Sequence, residues 1–584
     1  MIKPMLSIVV GAFAFMQSAL VLANTLTVTS LVDEVPAATP GTFRYELEHS
    51  SAGDTIVFAD SIKGGTINMV GVNTANQDTS FVIAHALTIE GNGVTINGGW
   101  NGTPGNASGT RIFLTVADQG KTTIKNLNLV NGHATVWYST EEKYFLGGAI
   151  CANSPIRLEG CRLENNCSMD KSDFYSYPDI RGGGAIFATA DVEIDSCYFG
   201  TNSVHASAAR GGAICQAAGS LTVEDTVFDH NYSKIWGGGA VYLHGPVTKA
   251  TFTKCKLIEN STSLTDRPGG AILSLMTGGE MKFFGCAFRG NNVPSGGRGG
   301  AICMYDAYGL SSATAVTAVD CEFSDSCAGW GGALFLAVSS PPLFVNCTFY
   351  GNSTATYSAI LQITSAKPYF VNCTVAASYD RMDGGECGPL YVGNLGLLNT
   401  VFAYNYKGAS SATLSDKNNH GCERTCSIYD GYSSLSGSPV PYTLATSMAD
   451  LKDAIKLFAD YEMVSEGHGY LPDERVVQPT ALMPKLGDDE YDTRVVEIDP
   501  EGVLASGGYP VRVNADYSYV EYSDDSGATW KQFFKRDGAD TTNLTRITAD
   551  QRGVPYKDGL TPVGAATVAA SPVDKVLPQG VIVY

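Results

Sequence analysis

Six arginine and tryptophan side chains recur at one place in the sequence, within two residues of the first glycine of a Gly-Gly-Ala tripeptide. They are Arg181, Arg210, Trp236, Arg267, Arg298 and Trp330. Guanidinium groups pair with carboxylate or sulfate, and indole rings stack on sugar rings, so the pattern favours a groove for an acidic glycan. A stabilising Arg–Trp stack over the glycine corners is the other interpretation, and the sequence leaves both open.

The 15 cysteines mostly follow a repeat. Seven of them begin a Cys-x-Phe-like motif, and threonine takes the same place in two further copies; they are Cys161, Cys197, Cys255, Cys286, Cys321, Cys347 and Cys373, with Thr226 and Thr400. We interpret this set as a small apolar interior column. Cys422 and Cys426 form a close pair outside the pattern, either a local disulfide or an incidental pair. Four-ligand metal spacing does not occur, so we predict no metal and no cofactor.

Catalytic motifs are weak, and we assign no catalytic residue. A glycosidase needs two or three carboxylates around the scissile bond, but Gly467-His468-Gly469 and Asp488-Asp489 lack companions on adjacent repeats. A calcium-dependent lyase needs clustered aspartates and a basic residue on neighbouring repeats, which the sequence does not align. A polysaccharide lyase or glycoside hydrolase acting on an acidic glycan therefore stays an alternative.

The elements that must position these residues form an internal repeat. Gly-Gly-Ala followed by Ile, Val or Leu starts at Gly147, Gly183, Gly211, Gly238, Gly269, Gly299 and Gly331, spaced by 27 to 36 residues. Cys-x-Phe-x-x-Asn alternates with it, and we expect this Asn to adopt the left-handed conformation of a turn. Short alternating runs predict several strands per repeat, as in one rung of a parallel β-helix. A second column then follows the corners: Cys151, Phe187, Cys215, Tyr242, Leu273, Cys303 and Phe335.

Composition and the N-terminus indicate an exported protein. The 584 residues include 65 glycines, only 16% are charged, and the formal net charge is −20. An acidic chain is a poor ligand for nucleic acid or anionic membranes. Residues 1–23 combine Lys3, an apolar run and small residues at Val21 and Ala23, which is typical of a signal peptide; an uncleaved anchor is the alternative. No later apolar run is long enough to span a membrane as a helix.

The Gly-Gly-Ala-Ile and Phe-x-x-Asn repeats resemble those of the chlamydial polymorphic outer-membrane proteins and related bacterial right-handed parallel β-helix proteins. Residues 26–58 resemble a CSLREA-type N-terminal cap, and Thr548–Pro555 resembles the tail of choice-of-anchor surface proteins. The resemblance implies an all-β, right-handed parallel β-helix with a smaller C-terminal β-rich region. It also implies a cell-surface, outer-membrane-associated location.

From these observations we predict a signal peptide (1–23), an N-terminal cap (24–80), β-helix repeats (81–430) and a C-terminal capping, β-rich region (431–584). A short helix in 41–50 should place Phe43 and Leu47 inward, and a second helix should follow Ser447. Ser523–Trp530 resembles the Asp-box turn of sialidase-like proteins, with a structural role. The leading hypothesis is a secreted or surface, non-catalytic adhesion or glycan-binding scaffold. A purely structural spacer or surface-layer protein is a further alternative.

Overall fold

Parallel β-strands dominate the computed structural model. It describes residues 23–71, 79–103, 108–136, 147–170, 181–205, 209–263, 269–294, 296–305, 312–357, 360–363, 366–380, 390–391, 395–403, short segments between 406 and 496, 508–556 and 561–562. The one α-helix in this part of the chain is Phe43–Glu48, and a 3₁₀ turn covers Asp60–Ile62.

Three long parallel sheets form the walls of a solenoid. Sheet 1 has fourteen strands: Thr25–Val28, Thr55–Phe58, Thr88–Glu90, Thr122–Lys125, Ile156–Glu159, Val192–Asp195, Ser220–Glu224, Lys249–Thr253, Glu280–Phe284, Ala315–Val319, Leu343–Val345, Tyr369–Val371, Leu395–Leu398 and Cys422–Thr425. Sheet 2 has thirteen: Thr66–Asn68, Thr95–Asn97, Asn128–Val130, Arg162–Glu164, Tyr198–Gly200, Val227–Asp229, Lys256–Ile258, Ala287–Arg289, Glu322–Ser324, Thr348–Tyr350, Thr374–Ala376, Val401–Ala403 and Ile428–Tyr429. Sheet 3 has eleven: Phe81–Ile83, Phe113–Thr115, Ile150–Ala152, Ile186–Ala188, Ile214–Gln216, Val241–Leu243, Ile272–Ser274, Ile302–Met304, Leu334–Leu336, Leu361–Ile363 and Leu390–Tyr391.

Smaller sheets complete the rungs and the C-terminal region. Two five-stranded sheets follow sheet 2 along the chain: His133–Val136, Cys167–Asp170, Ser203–Val204, Tyr232–Ser233 and Ser261–Thr262, then Cys327–Trp330, Ser353–Tyr357, Tyr379–Asp380, Tyr406–Lys407 and Ser410–Ser411. Arg181–Gly182 and Ala209–Arg210 pair at the corner before sheet 3. The C-terminal region contributes an antiparallel hairpin, Tyr461–Val464 with Ala481–Pro484, and an antiparallel sheet of Val511–Val513, Tyr519–Tyr522, Lys531–Lys535 and Thr545–Arg546.

Each rung passes through sheet 3, sheet 1 and sheet 2 in turn, so equivalent residues of successive rungs lie in register. Phe199 of one rung pairs with Phe228 of the next, and their ring centroids are 4.9 Å apart. This distance equals the spacing of neighbouring strands, because the rings stack directly above one another. Burying such columns in every rung gives the solenoid a continuous apolar core.

The asparagines of the repeat form a buried ladder, and their predicted left-handed conformation is wrong. The positive φ falls on the preceding residue, such as Thr201 (50°) or His230 (51°). Asn202 is fully buried; its Nδ2 donates to Asn231 Oδ1 (3.0 Å) and to the Leu163 carbonyl (2.9 Å). The amide is therefore a link between rungs, where it satisfies backbone groups that would otherwise be unpaired.

The cysteine column lies in the interior, as predicted. Cys255, Cys286 and their counterparts are buried as free thiols, and each donates to the carbonyl two residues earlier, as Cys286 Sγ does to Phe284 (3.5 Å). Thr226 takes the same place, since its Oγ1 donates to the Glu224 carbonyl at 2.7 Å and accepts from the Cys197 N–H at 3.2 Å. A hydroxyl and a thiol therefore serve the same position.

The Gly-Gly pair of each corner is needed for conformation and for space. Gly183 has φ of 69°, which L-residues with a Cβ rarely adopt. A Cβ on Gly184 would lie 2.1 Å from the carbonyl oxygen of Gly212 in the next rung. A share of the glycine excess in the composition therefore lies at corners where the backbones of adjacent rungs approach each other closely.

The N-terminal end of the core is covered by the predicted short helix. Thr42 caps Phe43–Glu48, and both Phe43 and Leu47 are buried. The Phe43 ring contacts Phe58 and Phe81, with centroids 5.2 and 4.7 Å apart. Covering the first rung in this way protects the end of the stack from pairing with other chains.

The C-terminal antiparallel sheet packs against the side of the solenoid, on the outer face of sheet 1. Val319, Leu343, Val345, Val371 and Leu398 meet apolar side chains of residues 511–534 in one cluster. Arg536 Nη1 donates to Thr317 Oγ1 (2.8 Å), and Arg536 Nη2 donates to the Val316 carbonyl (2.6 Å). The helix predicted after Ser447 lies outside the described residues.

Candidate functional site

The candidate site is the corner row, which we define as the two residues before each Gly-Gly-Ala corner. Pairing aligns Arg181 with Ala209 and Gly182 with Arg210, while Arg298 pairs directly with Trp330. Arg181 and Arg210 therefore occupy neighbouring positions, and the predicted residues fall in two adjacent columns: Arg181, Trp236 and Arg267 two residues before the corner, and Arg210, Arg298 and Trp330 one residue before it. Only the backbone of Arg181 is described, and Arg267 lies outside the described residues.

One of the two corners with a described Arg–Trp contact is built around Arg210. Its guanidinium carbon lies 4.8 Å from the Trp236 ring centroid and 4.9 Å from that of Tyr242, both in the next rung. Arg210 Nη1 also donates to Tyr242 Oη at 3.0 Å. Arg210 and Trp236 are half-buried, whereas Tyr242 is fully buried. The arginine is thus held between rungs by two aromatic faces and one hydrogen bond.

The Arg298 corner repeats the two aromatic contacts, without the hydrogen bond, three rungs later. The guanidinium carbon of Arg298 lies 5.7 Å from the Trp330 ring centroid and 4.9 Å from that of Phe335. Arg298 itself is exposed. Three rung spacings of about 4.8 Å place the two corners about 14 Å apart along one edge. The structure therefore brings together two of the predicted Arg–Trp pairs, each with a further aromatic ring beneath.

The ring beneath each arginine belongs to the predicted second column, which is confirmed as a cluster: Cys151, Phe187, Cys215, Tyr242, Leu273, Cys303 and Phe335. Each member is the middle residue of a sheet 3 strand and points away from the main core. Burial raises the pKa of the Cys215 thiol to about 12. Burial also raises the pKa of the Cys303 thiol well above its ordinary value, so both thiols are protonated and unreactive at neutral pH.

Two residues of the Arg210 corner were not predicted as site residues. Tyr242 Oη lies 3.0 Å from Nδ1 of His244, which follows two residues later. Burial, and to a lesser degree the charge of Arg210, lowers the pKa of His244 to about 4. An alignment of the repeats could have indicated His244, because this histidine stands at a position where the next three rungs have Leu275, Tyr305 and Ala337.

Other predicted candidates are structural or lie elsewhere. The turn after Ser523 is confirmed as Asp-box-like: Asp525 Oδ1 accepts from the Thr529 N–H (2.8 Å), and Ser523 Oγ accepts from the Gly527 N–H (2.7 Å). His468, Asp488, Asp489 and Cys426 lie outside the described residues, so no disulfide with Cys422 can be assigned. Within the described ranges, no three His, Cys, Asp or Glu side chains are grouped to hold a metal ion.

Comparison with known proteins supports the fold. Residues 112–293 match the family model described as "right handed beta helix region". The fold is a right-handed parallel β-helix. The matched segment of the β-helix includes the whole Arg210 corner but ends before Arg298. A comparison with curated proteins gives no significant match. In the part of the chain that is described, no helix is both long and apolar enough to cross a membrane.

Proposed function

We propose that this protein is a secreted or cell-surface scaffold that binds an acidic glycan along the corner row of its β-helix. The observation that supports this most strongly is the recurrence of one arrangement, an arginine over the tryptophan of the next rung, at Arg210 and Arg298. Stacked rungs repeat a contact at regular intervals along one edge, which suits a ligand that is itself a chain of similar units.

The chemistry of the row fits an anionic sugar. Arginine supplies planar donors for carboxylate or sulfate, and the half-buried tryptophans add apolar surface for sugar rings. The protein carries a net charge of −20, so it repels anions in general. The arginines along this one edge are a local exception to that negative charge and favour binding of anions at this edge alone. Export rests on the N-terminal sequence, and mass spectrometry of the mature protein should find Asn24 as its first residue.

A glycan array probed with the chain from Asn24 onward tests the proposal. We expect acidic glycans among the ligands, and we expect the double variant Trp236→Ala with Arg298→Ala, which alters both corners, to bind them at least tenfold more weakly. One lost charge-assisted contact of about 1.5–3 kcal/mol is enough for this change. Arg162→Ala is the matched control, since Arg162 also covers an aromatic ring (Tyr198, 4.0 Å) but lies on sheet 2.

The outcomes separate the alternatives. An unchanged affinity of the double variant would reject the corner row, and an array without ligands would favour a structural spacer. Incubation with acidic polysaccharides, followed by ultraviolet absorbance, tests for the unsaturated products of a lyase. Products from the wild type would replace the non-catalytic proposal by the enzymatic one.

A further inference from the structure

We propose that Arg210, Tyr242 and His244 form a dedicated anion subsite within the corner row, which takes the carboxylate or sulfate group of the bound glycan. This inference rests on the proposed function, because the glycan supplies the anion. It goes further by assigning the charged group of the ligand to one corner and by adding two residues, Tyr242 and His244, as positioning residues.

The hydrogen bonds at this corner have one consistent direction. A guanidinium group can only donate, so Tyr242 Oη accepts from Arg210 Nη1. The tyrosine hydrogen then has one acceptor among the described residues, Nδ1 of His244 at 3.0 Å. His244 must therefore carry its own hydrogen on Nε2. The chain runs from arginine through tyrosine to histidine, and the buried Tyr242 fixes the positions of both partly exposed ends.

Both ends of this chain present donors. Arg210 keeps N–H groups beyond the one used by Tyr242, and its Nε is buried without a partner in the described part of the chain. His244 presents Nε2–H. The remaining Arg210 donors lie beside Tyr242 and His244, and no carboxylate is among these three side chains, so the described part of the corner suits an anion better than a cation. Because Arg210 Nε has no hydrogen-bond partner in the described part of the chain, this corner has a donor that the protein leaves unsatisfied. Such a donor is expected where a ligand completes the hydrogen bonding.

The second corner offers a comparison within the same chain. Phe335 stands where Tyr242 stands, and Ala337 stands where His244 stands. Arg298 therefore has two aromatic contacts but neither hydrogen-bonding residue beneath it. We assign the Arg298 corner to stacking on sugar rings and the Arg210 corner to the acidic group.

Protonation of His244 gives a readout of the subsite. The groups facing His244 are Arg210 and Tyr242, and Tyr242 in turn interacts with Tyr305 and Cys215. The pKa of His244 is lowered to about 4 by burial and then by Arg210. An anion bound at Arg210 offsets that positive charge, so it should raise the pKa of His244. Anion binding and proton uptake by His244 are then linked, and the affinity for anions increases as the pH falls.

The test is a pH titration of the histidine resonances by NMR, with inorganic sulfate and with galacturonate as separate probes. His244→Gln assigns the resonance. We expect each effective probe to raise the pKa of His244 in the wild type. Tyr242→Phe, which keeps the ring, should bind the probe at least fivefold more weakly, while Arg162→Ala binds it as the wild type does. A response to sulfate alone, or to galacturonate alone, identifies which acidic group the subsite takes.

A gain-of-function variant keeps the proposal testable if Tyr242→Phe fails to fold. Phe335→Tyr with Ala337→His rebuilds the chain beneath Arg298 and should create a second anion site with a new responsive histidine. The inference is overturned if neither probe raises the pKa of His244, even when the array finds glycan ligands whose binding requires Trp236 and Arg298. If the wild type binds no glycan on the array but a probe still raises the pKa of His244, the proposed function is rejected and the anion site is retained.

Discussion

Glu322, on the outer face of sheet 2, is bonded by Arg494, which lies 172 positions later in the chain. The Arg494 backbone N–H donates to Glu322 Oε2 (2.7 Å), and its Nε and Nη2 donate to Oε1 (2.8 and 2.6 Å). Arg289 bonds the same carboxylate from the adjacent rung, with Nη2 2.9 Å from Oε2. The Glu322 side chain is fully buried, so this carboxylate joins the C-terminal region to the solenoid.

Removing that carboxylate should destabilise the protein strongly. Glu322→Ala leaves two arginines without their shared partner in a buried setting, at a cost of about 3–5 kcal/mol. Urea unfolding followed by circular dichroism measures the loss. Arg162→Ala, which removes an exposed pair with Glu164, should cost under about 1 kcal/mol. Equal losses for the two variants would mean that the buried cluster contributes no more than a surface ion pair.

Asp320 should make stability depend on pH. Burial raises its pKa to about 7, and Asp550 adds to this while the hydrogen bond from Asn346 opposes it. The folded state therefore keeps a proton on Asp320 that the unfolded state releases near pH 4. The contribution of this proton to the free energy of unfolding is complete below about pH 4 and is lost as the pH rises to about 7. The slope in this window is about 1.4 kcal/mol per pH unit at most. Asp320→Asn should reduce this slope of the free energy of unfolding against pH. Equal slopes for the variant and the wild type would contradict the assignment of the pH dependence to Asp320.

The asparagine ladder should tolerate no gap. Asn231→Ala removes the acceptor of the Asn202 N–H and Nδ2 groups and the donor to the Phe199 carbonyl. We expect a loss of about 3 kcal/mol in the free energy of unfolding, since these groups are buried. Asn97→Ala, in the partly exposed outer ladder with Asn68 and Asn131, should cost under about 1 kcal/mol. A small effect at both sites would show that the buried groups find other partners.

The cysteine column should accept a hydroxyl. Cys286→Thr reproduces the native arrangement at Thr226 and should change the free energy of unfolding by less than about 1 kcal/mol. Cys286→Val has the same shape as threonine but cannot donate to the Phe284 carbonyl, so we expect it to be about 1 kcal/mol less stable than the threonine variant. If valine equals threonine, the column acts through apolar packing alone.

Much of the solenoid could be predicted from the sequence because each rung repeats the same local requirements. The alternation of Gly183-Gly-Ala with Cys197-Tyr-Phe199 is sufficient to predict the corner, the strands and both columns. The role of Asn202 was missed, because its partners lie one rung away and a turn explains the same residue type locally. The Arg210 subsite needed the register, since Tyr242 and His244 become neighbours of Arg210 only when two rungs stack. The Glu322–Arg494 contact has no local signal at all.

The two buried ladders also determine where this chain can change length. Between the column residue and the ladder asparagine the interval is five residues in every copy that has both, as in Cys161–Asn166, Thr226–Asn231 and Cys347–Asn352. From the ladder asparagine to the next corner it varies, from seven residues (Asn231 to Gly238) to 17 (Asn166 to Gly183). The interval from the corner to the next column residue varies as well, from 14 residues (Gly183 to Cys197) to 22 (Gly299 to Cys321). The chain therefore changes length on both sides of the corner row, while the segment between the two ladders keeps its length.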